Sequence, residues 1–204
     1  MPEWLGSGLQ NRVQGSDSPS GLEMFHMVLN SQRIRATEFK YPCLIHGAQG
    51  SGASQFTISL ASDLLKLGKE VIFFSAFPAG KAHLLDQLGT LSVEVTIPQS
   101  GNEEDFMEAL SNTNENSFVV VKNIEEYSKQ LVEKVVGYEN VVLSGDFESF
   151  KYSDILPGVQ TRITFSPLDL PGFYQQLPVL NKYEGFLVCD AISGTISLAD
   201  FKGD

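Results

Sequence analysis

YPCLIHGAQGSGASQFTISLASDLLKL, residues 41–67, contains three consecutive patterns that decide the fold. A short apolar run, Cys43–Ile45, leads into a glycine-rich turn that spans Gly47–Ser54. An amphipathic segment follows at once, and its apolar residues recur at helical spacing on one face: Phe56, Leu60, Leu64 and Leu67. A strand, a glycine loop and a helix in direct succession are typical of a phosphate-binding turn at a helix N-terminus.

The turn matches the P-loop template G-x-x-x-x-G-K-[ST] at all but one of its defining positions. Gly47 and Gly52 supply the two glycines and Ser54 supplies the final hydroxyl, whereas Ala53 stands where the lysine belongs. The degenerate phosphate loop therefore comprises Gly47, Gly50, Ser51, Gly52, Ala53 and Ser54. Two interpretations stay open: the loop binds an anion or a nucleotide weakly, or its glycines only make the turn.

Two further parts of a P-loop ATPase are also missing. In such an enzyme an acid at the end of another strand supports Mg²⁺, and a base orients the attacking water. The apolar run Phe118–Val121 leads instead into Lys122 and Asn123, and the strand after the loop helix ends in SAF at residues 75–77. With three separate losses, the sequence predicts a natural pseudo-ATPase with no catalytic residues, no metal site and no obligate cofactor.

Two alternatives to a natural pseudo-ATPase stay open. Ala53 could be an engineered replacement of a lysine, although one substitution does not account for the two other losses. Lys81, in a neighbouring loop, could supply the missing charge and leave a weak NTPase.

The composition is that of an acidic chain with a sizeable core. Of 204 residues, 14 are basic and 25 acidic, so the net charge is −11, and 42% are hydrophobic. This charge gives no global electrostatic reason to bind nucleic acid or an anionic membrane. Cys43 and Cys189 lie in apolar runs and are expected to be buried thiols, although a disulfide stays open. With no membrane-length apolar run and no signal peptide, we expect a cytoplasmic or nuclear protein.

The rest of the chain alternates between strand and helix patterns. Residues 1–21 are expected to form a flexible arm, and residues 22–204 a single domain. Helices are predicted at Leu22–Gln32, directly after the glycine turn with an end near Leu67 and Gly68, and at residues 81–88, 103–110 and 124–135. Strands are predicted at residues 43–45, 70–76, 91–97, 117–121, 140–143, 161–165, 184–189 and 195–199, the last two joined through Ile192–Gly194. This alternation predicts a mainly parallel, doubly wound α/β sheet with helices on both faces and a C-terminal antiparallel hairpin.

The sequence resembles RecA-like proteins that have lost their active site, and among these the sixth subunit of the Elongator complex. Four stretches carry the resemblance: CLIHGAQGSGAS (43–54), GKEVIFFSAFPAGKAHLLDQLG (68–89), SDILPGVQTRITFSPLDLPGF (153–173) and FLVCDAISGTISL (186–198). The chain differs from that subunit in keeping more of the loop glycines and in being short. A recombinase paralogue that assists DNA repair therefore stays open as the alternative.

The resemblance implies a RecA-like fold and a non-catalytic subunit of a hetero-hexameric ring. Such a ring is built with sister RecA-like subunits, binds transfer RNA and supports the modification of wobble uridines by the catalytic Elongator subunits. The expected partners are therefore the sister subunits, the larger Elongator subunits and, through the assembled ring, transfer RNA. No membrane partner is expected.

Overall fold

The computed structural model describes residues 25–48, 50–75, 95–96, 103–145, 157–165, 184–189 and 192–200 of the chain. These residues form one sheet of ten strands with three α-helices. The strands are β1 Phe25–Leu29, β2 Gln32–Arg33, β3 Cys43–Gly47, β4 Glu70–Ser75, β5 Val95–Thr96, β6 Ser117–Lys122, β7 Val141–Gly145, β8 Thr161–Phe165, β9 Glu184–Cys189 and β10 Ile192–Asp200. The helices are α1 Ala53–Lys66, α2 Glu103–Ser111 and α3 Lys129–Val136.

The sheet is mixed, and its order is β2-β1-β10-β9-β8-β3-β7-β6-β4-β5. From β8 to β5 neighbouring strands run parallel, whereas β9, β10, β1 and β2 continue the sheet in antiparallel pairs. The α/β sheet and the C-terminal hairpin of β9 and β10 are as predicted. The doubly wound layout stays a prediction, because parts of the connections from β4 to β6 and from β7 to β8 lie outside the described residues.

Successive residues of the parallel strands pack alternately in two hydrophobic cores, one on each face of the sheet. Helix α1 covers the first face, where Phe56 and Leu60 pack in one cluster with Phe73 and Val120 of the strands. Helices α2 and α3 contribute to the second cluster, which contains Phe106, Leu110, Leu131 and Val135. Because both faces are buried, the parallel strands have continuous apolar runs rather than an alternating pattern.

Helix α1 ends at the glycine that the sequence indicates. Gly68 has a φ angle of 76° and donates its N–H to the Leu65 carbonyl at 3.0 Å, while the Lys69 N–H binds the Leu64 carbonyl at 3.1 Å. These two bonds form a Schellman motif. Leu67, expected on the buried face, is instead 36% exposed because the helix has already ended.

The helix predicted over Leu22–Gln32 is wrong, because this stretch contains strand β1. The strand pairs with β10 along its length, beginning with Phe25 opposite Asp200. Positive φ angles at Asn30 (48°) and Ser31 (68°) then turn the chain into β2, as a two-residue hairpin loop requires. Local spacing could not predict this outcome, because the partner strand lies at the other end of the sequence.

Two predicted boundaries shift by a few residues. The helix expected from residue 124 begins as a 3₁₀ turn, and α3 starts only after Ser128, whose hydroxyl accepts the Leu131 N–H at 3.3 Å. The apolar positions of that pattern are nevertheless buried: Ile124, Tyr127, Leu131 and Val135. The hairpin does not turn through residues 192–194, because β10 already begins at Ile192, opposite Cys189 of β9.

Some predictions concern residues outside the described ranges. They are the arm at residues 1–21 and the helix at 81–88. The strand expected at residues 91–97 is described only as the short edge strand β5. The division into an arm and a single domain therefore stays a prediction. No helix in the described part of the chain is long and apolar enough to cross a membrane.

The two thiols lie too far apart for a disulfide. Cys43 on β3 and Cys189 on β9 both pair with Thr161 of the intervening strand β8. Two strand spacings of roughly 4.8 Å therefore separate their backbones, and a disulfide spans at most about 7 Å between Cα atoms. Both cysteines are free, and burial raises the pKa of the Cys43 thiol, which suits an unreactive core residue.

Candidate functional site

Gly47 ends strand β3 where there is no room for a side chain. It pairs with Phe165 of β8, and a Cβ atom at Gly47 would contact the Ser51 hydroxyl and lie 2.5 Å from the Phe165 carbonyl oxygen. Cβ atoms in proteins essentially never approach other atoms within 3.0 Å. Glycine is therefore required here so that the loop can fold back against the sheet.

The next two glycines bend the loop into helix α1. Gly50 and Gly52 have φ angles of 81° and 101°, in the left-handed region that glycine adopts without strain. Gly52 is the N-cap of α1, and its carbonyl accepts a hydrogen bond from the Phe56 N–H at 2.9 Å. The loop residues predicted from the sequence thus come together in one strand–turn–helix unit at the carboxyl end of β3.

The side chains of the loop point in two directions. Ser51 is buried, and its hydroxyl accepts a long hydrogen bond from the Ala53 N–H at 3.4 Å. Ala53 is 6% exposed and belongs to the core that α1 shares with the sheet, whereas Ser54 is exposed. The lysine position is therefore filled by a small, inward-packed methyl group, and the hydroxyl of Ser54 faces solvent.

Two backbone amides at the start of α1 remain available to an anion. No described group accepts a hydrogen bond from the N–H of Ser54 or Gln55, and the glycine N-cap has no side chain that could do so. The helix dipole adds partial positive charge at the same end. The loop therefore retains part of a phosphate cradle, although it has no cationic side chain of its own.

The carboxyl end of β6 carries a cation where a P-loop ATPase carries an acid. Lys122 is the last residue of β6 and pairs with Ser75 of β4 and Ser144 of β7. Phe118 and Val120, at alternate positions of the same strand, pack in the α1 core, so Lys122 projects from that face as well. Desolvation by burial lowers the pKa of Lys122 below the ordinary lysine value.

The carboxylate nearest in sequence to this lysine lies on the other face of the sheet. Asn123 follows Lys122 with a φ angle of 59° and leads into the 3₁₀ turn. A Cβ atom at Gly145 would meet the Glu125 carboxylate, and Gly145 is two residues from Leu143, which packs in the second core. In the described ranges no group of three or more His, Cys, Asp or Glu side chains could hold a metal ion.

Two buried polar pairs that the sequence did not predict connect this region to neighbouring elements. The Thr57 hydroxyl of α1 lies 2.9 Å from both the Ala53 carbonyl oxygen and the Ser144 hydroxyl of β7. His46 Nε2, one residue before the loop, lies 2.6 Å from the Thr164 hydroxyl of β8. A threonine on the buried face of a predicted helix can be recognised in the sequence, but the residue to which it hydrogen-bonds depends on the strand order.

His46 is held in its neutral form. Desolvation in the fully buried site, with the charge of Arg162 as a second cause, lowers the pKa of His46 from 6.5 to about 3. At neutral pH this residue therefore adds no positive charge beside the loop.

Solved structures share the fold of this chain, although no protein-family model and no curated protein matches the sequence. One is EssC (ATPases 2 and 3) from Geobacillus thermodenitrificans, with a TM-score of 0.58 and 11% identity over 79% of this chain and 40% of that chain. A second is the pCW3 conjugation coupling protein TcpA with ATPγS, with a TM-score of 0.55 and 14% identity over 88% and 67% of the two chains. A third is the genome packaging NTPase B204 of Sulfolobus turreted icosahedral virus 2 in complex with AMP, with a TM-score of 0.54 and 13% identity over 76% and 95%. The chain has the fold of a P-loop NTPase.

This P-loop NTPase fold agrees with the RecA-like architecture that the resemblance implies. At 11 to 14% identity, the likeness to these structures concerns the fold alone. The chain spans 40% of the EssC chain, so the activity of the whole of that protein is not transferred to it. None of the three neighbours points to Elongator, and a shared fold does not measure catalysis.

Proposed function

We propose that this chain is a P-loop domain that does not hydrolyse nucleotides and acts as a subunit of a hetero-oligomeric ring. The observation that carries this proposal is a change of charge at two positions, Ala53 for the loop lysine and Lys122 for the metal-supporting acid. Without the lysine, the terminal phosphates of a nucleotide lose their counter-charge, and without the acid, Mg²⁺ loses its support. A fold that is retained without its chemistry commonly serves assembly.

The described residues around the loop do not fit Mg²⁺. In P-loop proteins this ion is bound by the loop hydroxyl, an acid and the substrate phosphates. Ser54 offers an exposed hydroxyl, but the residue in the place of the acid is Lys122, whose ammonium repels a cation. We therefore assign no metal-dependent step to this site.

The sequence resemblance extends the proposal to a particular ring. It supports an assembly with sister RecA-like Elongator subunits, located in the cytoplasm or nucleus, that assists the modification of wobble uridines in transfer RNA. The structural neighbours do not contribute to this finer proposal. It depends on the four sequence stretches and on the general expectation that a domain without chemistry has protein partners.

A second candidate function is weak NTPase activity, and two of the structural neighbours are the reason for considering it. TcpA and B204 have the same fold in structures with ATPγS and AMP. For this chain to hydrolyse a nucleotide, a cation would have to come from elsewhere, either from Lys81, which lies outside the described residues, or from a neighbouring subunit.

Affinity purification of the tagged chain from its native cells tests the proposed assembly. We expect the two sister RecA-like Elongator subunits to co-purify in amounts equal to the tagged chain, and deletion of its gene to lower wobble-uridine modification. The same tag on an unrelated protein is the control. Recovery of a recombinase instead would support the DNA-repair alternative, and a monodisperse monomer without partners would contradict the ring.

A further inference from the structure

Lys122 lies in a row of residues across the carboxyl edge of the sheet, on the face that carries α1. The row consists of Ser75 on β4, Lys122 on β6 and Ser144 on β7, and Lys122 pairs with both serines. Each of the three lies two residues after a strand residue that packs in the α1 core, such as Phe73 or Val142. Their side chains therefore project from the same face of the sheet. Lys122 therefore shares its side of the sheet with the loop helix.

A hydrogen bond fixes how this row meets the N-terminus of α1. The Ser144 hydroxyl lies 2.9 Å from the hydroxyl of Thr57, in the first turns of the helix, and that hydroxyl lies 2.9 Å from the Ala53 carbonyl. Lys122 is the cross-strand neighbour of Ser144, about one strand spacing of roughly 4.8 Å away. Its flexible four-carbon stem can therefore bring the ammonium to the phosphate loop.

The ammonium has no counter-charge among the described residues. Lys129 and Glu133 form a salt bridge on α3, but no described carboxylate pairs with Lys122, and Glu125 lies against Gly145 on the opposite face. Lys122 is half-buried, and a partly desolvated cation is costly unless a partner of opposite charge satisfies it. The site therefore favours an anion and disfavours a divalent cation.

We propose that the loop and Lys122 together bind a phosphate group without a divalent metal. The amides of Ser54 and Gln55 would hold the phosphate oxygens at the start of α1, and the Lys122 ammonium would supply the positive charge from the strand edge. This inference rests on the proposed function, because it uses the same replacement of an acid by Lys122. The ligand is either inorganic phosphate or the phosphate chain of a nucleotide.

Calorimetric titration of the full chain with inorganic phosphate and with ATP distinguishes the two sources. Each titration is run once in EDTA and once in Mg²⁺. We expect binding of at least one ligand in EDTA, with no gain in affinity when Mg²⁺ is added. Binding of ATP alone identifies the nucleotide as the ligand. If the wild-type chain binds neither ligand, or binds only in Mg²⁺, the inference is wrong, although the absence of hydrolysis would stand.

Substitutions of Lys122 identify the source of the charge. Lys122→Met should weaken binding about tenfold or more, because it removes one charge-assisted contact, and Lys122→Arg should retain most of the affinity. Lys134→Met removes an exposed lysine from α3 and should change the affinity less than twofold. Thermal unfolding without ligand checks that Lys122→Met is folded. Equal affinities of the wild type and Lys122→Met would overturn the inference.

Discussion

Phe56→Ala is expected to destabilise the domain by roughly 3–5 kcal/mol, because it opens a cavity between the loop helix and the sheet. The Phe56 side chain is fully buried, and its ring centroid lies 6.4 Å from that of Phe39 and 5.4 Å from that of Phe165. The phenylalanine thus joins α1 to β8 and to the segment before β3. Urea unfolding followed by circular dichroism should show the midpoint moving to lower urea.

Leu67→Ala is the matched control for this prediction. It also shortens a large apolar side chain at α1, but Leu67 is 36% exposed at the end of the helix and should cost less than about 1 kcal/mol. Typical domains are stable by roughly 5–15 kcal/mol, so the two variants are compared with the wild type at urea concentrations where each retains a folded baseline. Similar losses in the two variants would contradict the assigned packing of α1.

Acidification is expected to destabilise the chain through His46. Its pKa is 6.5 in the unfolded chain and about 3 in the folded one. In this window the unfolded state binds the extra proton, so the free energy of unfolding decreases as the pH falls from 6.5 to 3. Between pH 7.5 and 4.5 the contribution of this one imidazole should be roughly 2–3 kcal/mol.

His46→Gln separates this effect from the titration of the carboxylates. Glutamine can keep a hydrogen bond to Thr164, but it cannot take up a proton in this range. The variant is expected to lose less stability than the wild type between the two pH values, whatever its stability at pH 7.5. Chemical denaturation at both pH values measures the difference. Equal losses of stability in the wild type and in His46→Gln would show that His46 is not a neutral, buried group in the folded chain.

The phosphate-loop unit could be predicted from local sequence because its signals are local. The apolar run, the turn glycines and the spacing of Phe56, Leu60 and Leu64 each specify a piece of backbone that does not depend on the rest of the chain. Strand β1 could not be predicted in this way. Its apolar residues fit neither period cleanly, and its conformation depends on pairing with β10, which is roughly 170 residues away in the sequence.

The same distinction applies to the site. The sequence shows that Lys122 follows an apolar strand, but only the register with Ser144 brings it beside the loop helix. The contact between Thr57 and Ser144 likewise requires β7 to lie between β3 and β6, an order that no local pattern encodes. The sequence therefore identifies Ala53 and Lys122 as the residues that differ from those of a P-loop ATPase. The strand order then shows that Lys122 lies beside the loop helix.

We propose that this P-loop fold has lost its chemistry at more than one position. Steady-state turnover of Mg²⁺-ATP by the wild-type chain and by Ala53→Lys tests this loss, with an active ATPase as positive control and circular dichroism to verify folding. Because Lys122 still occupies the place of the acid, we predict no turnover above the buffer blank for either protein. Hydrolysis by the wild type, or its appearance in Ala53→Lys, would contradict the claim.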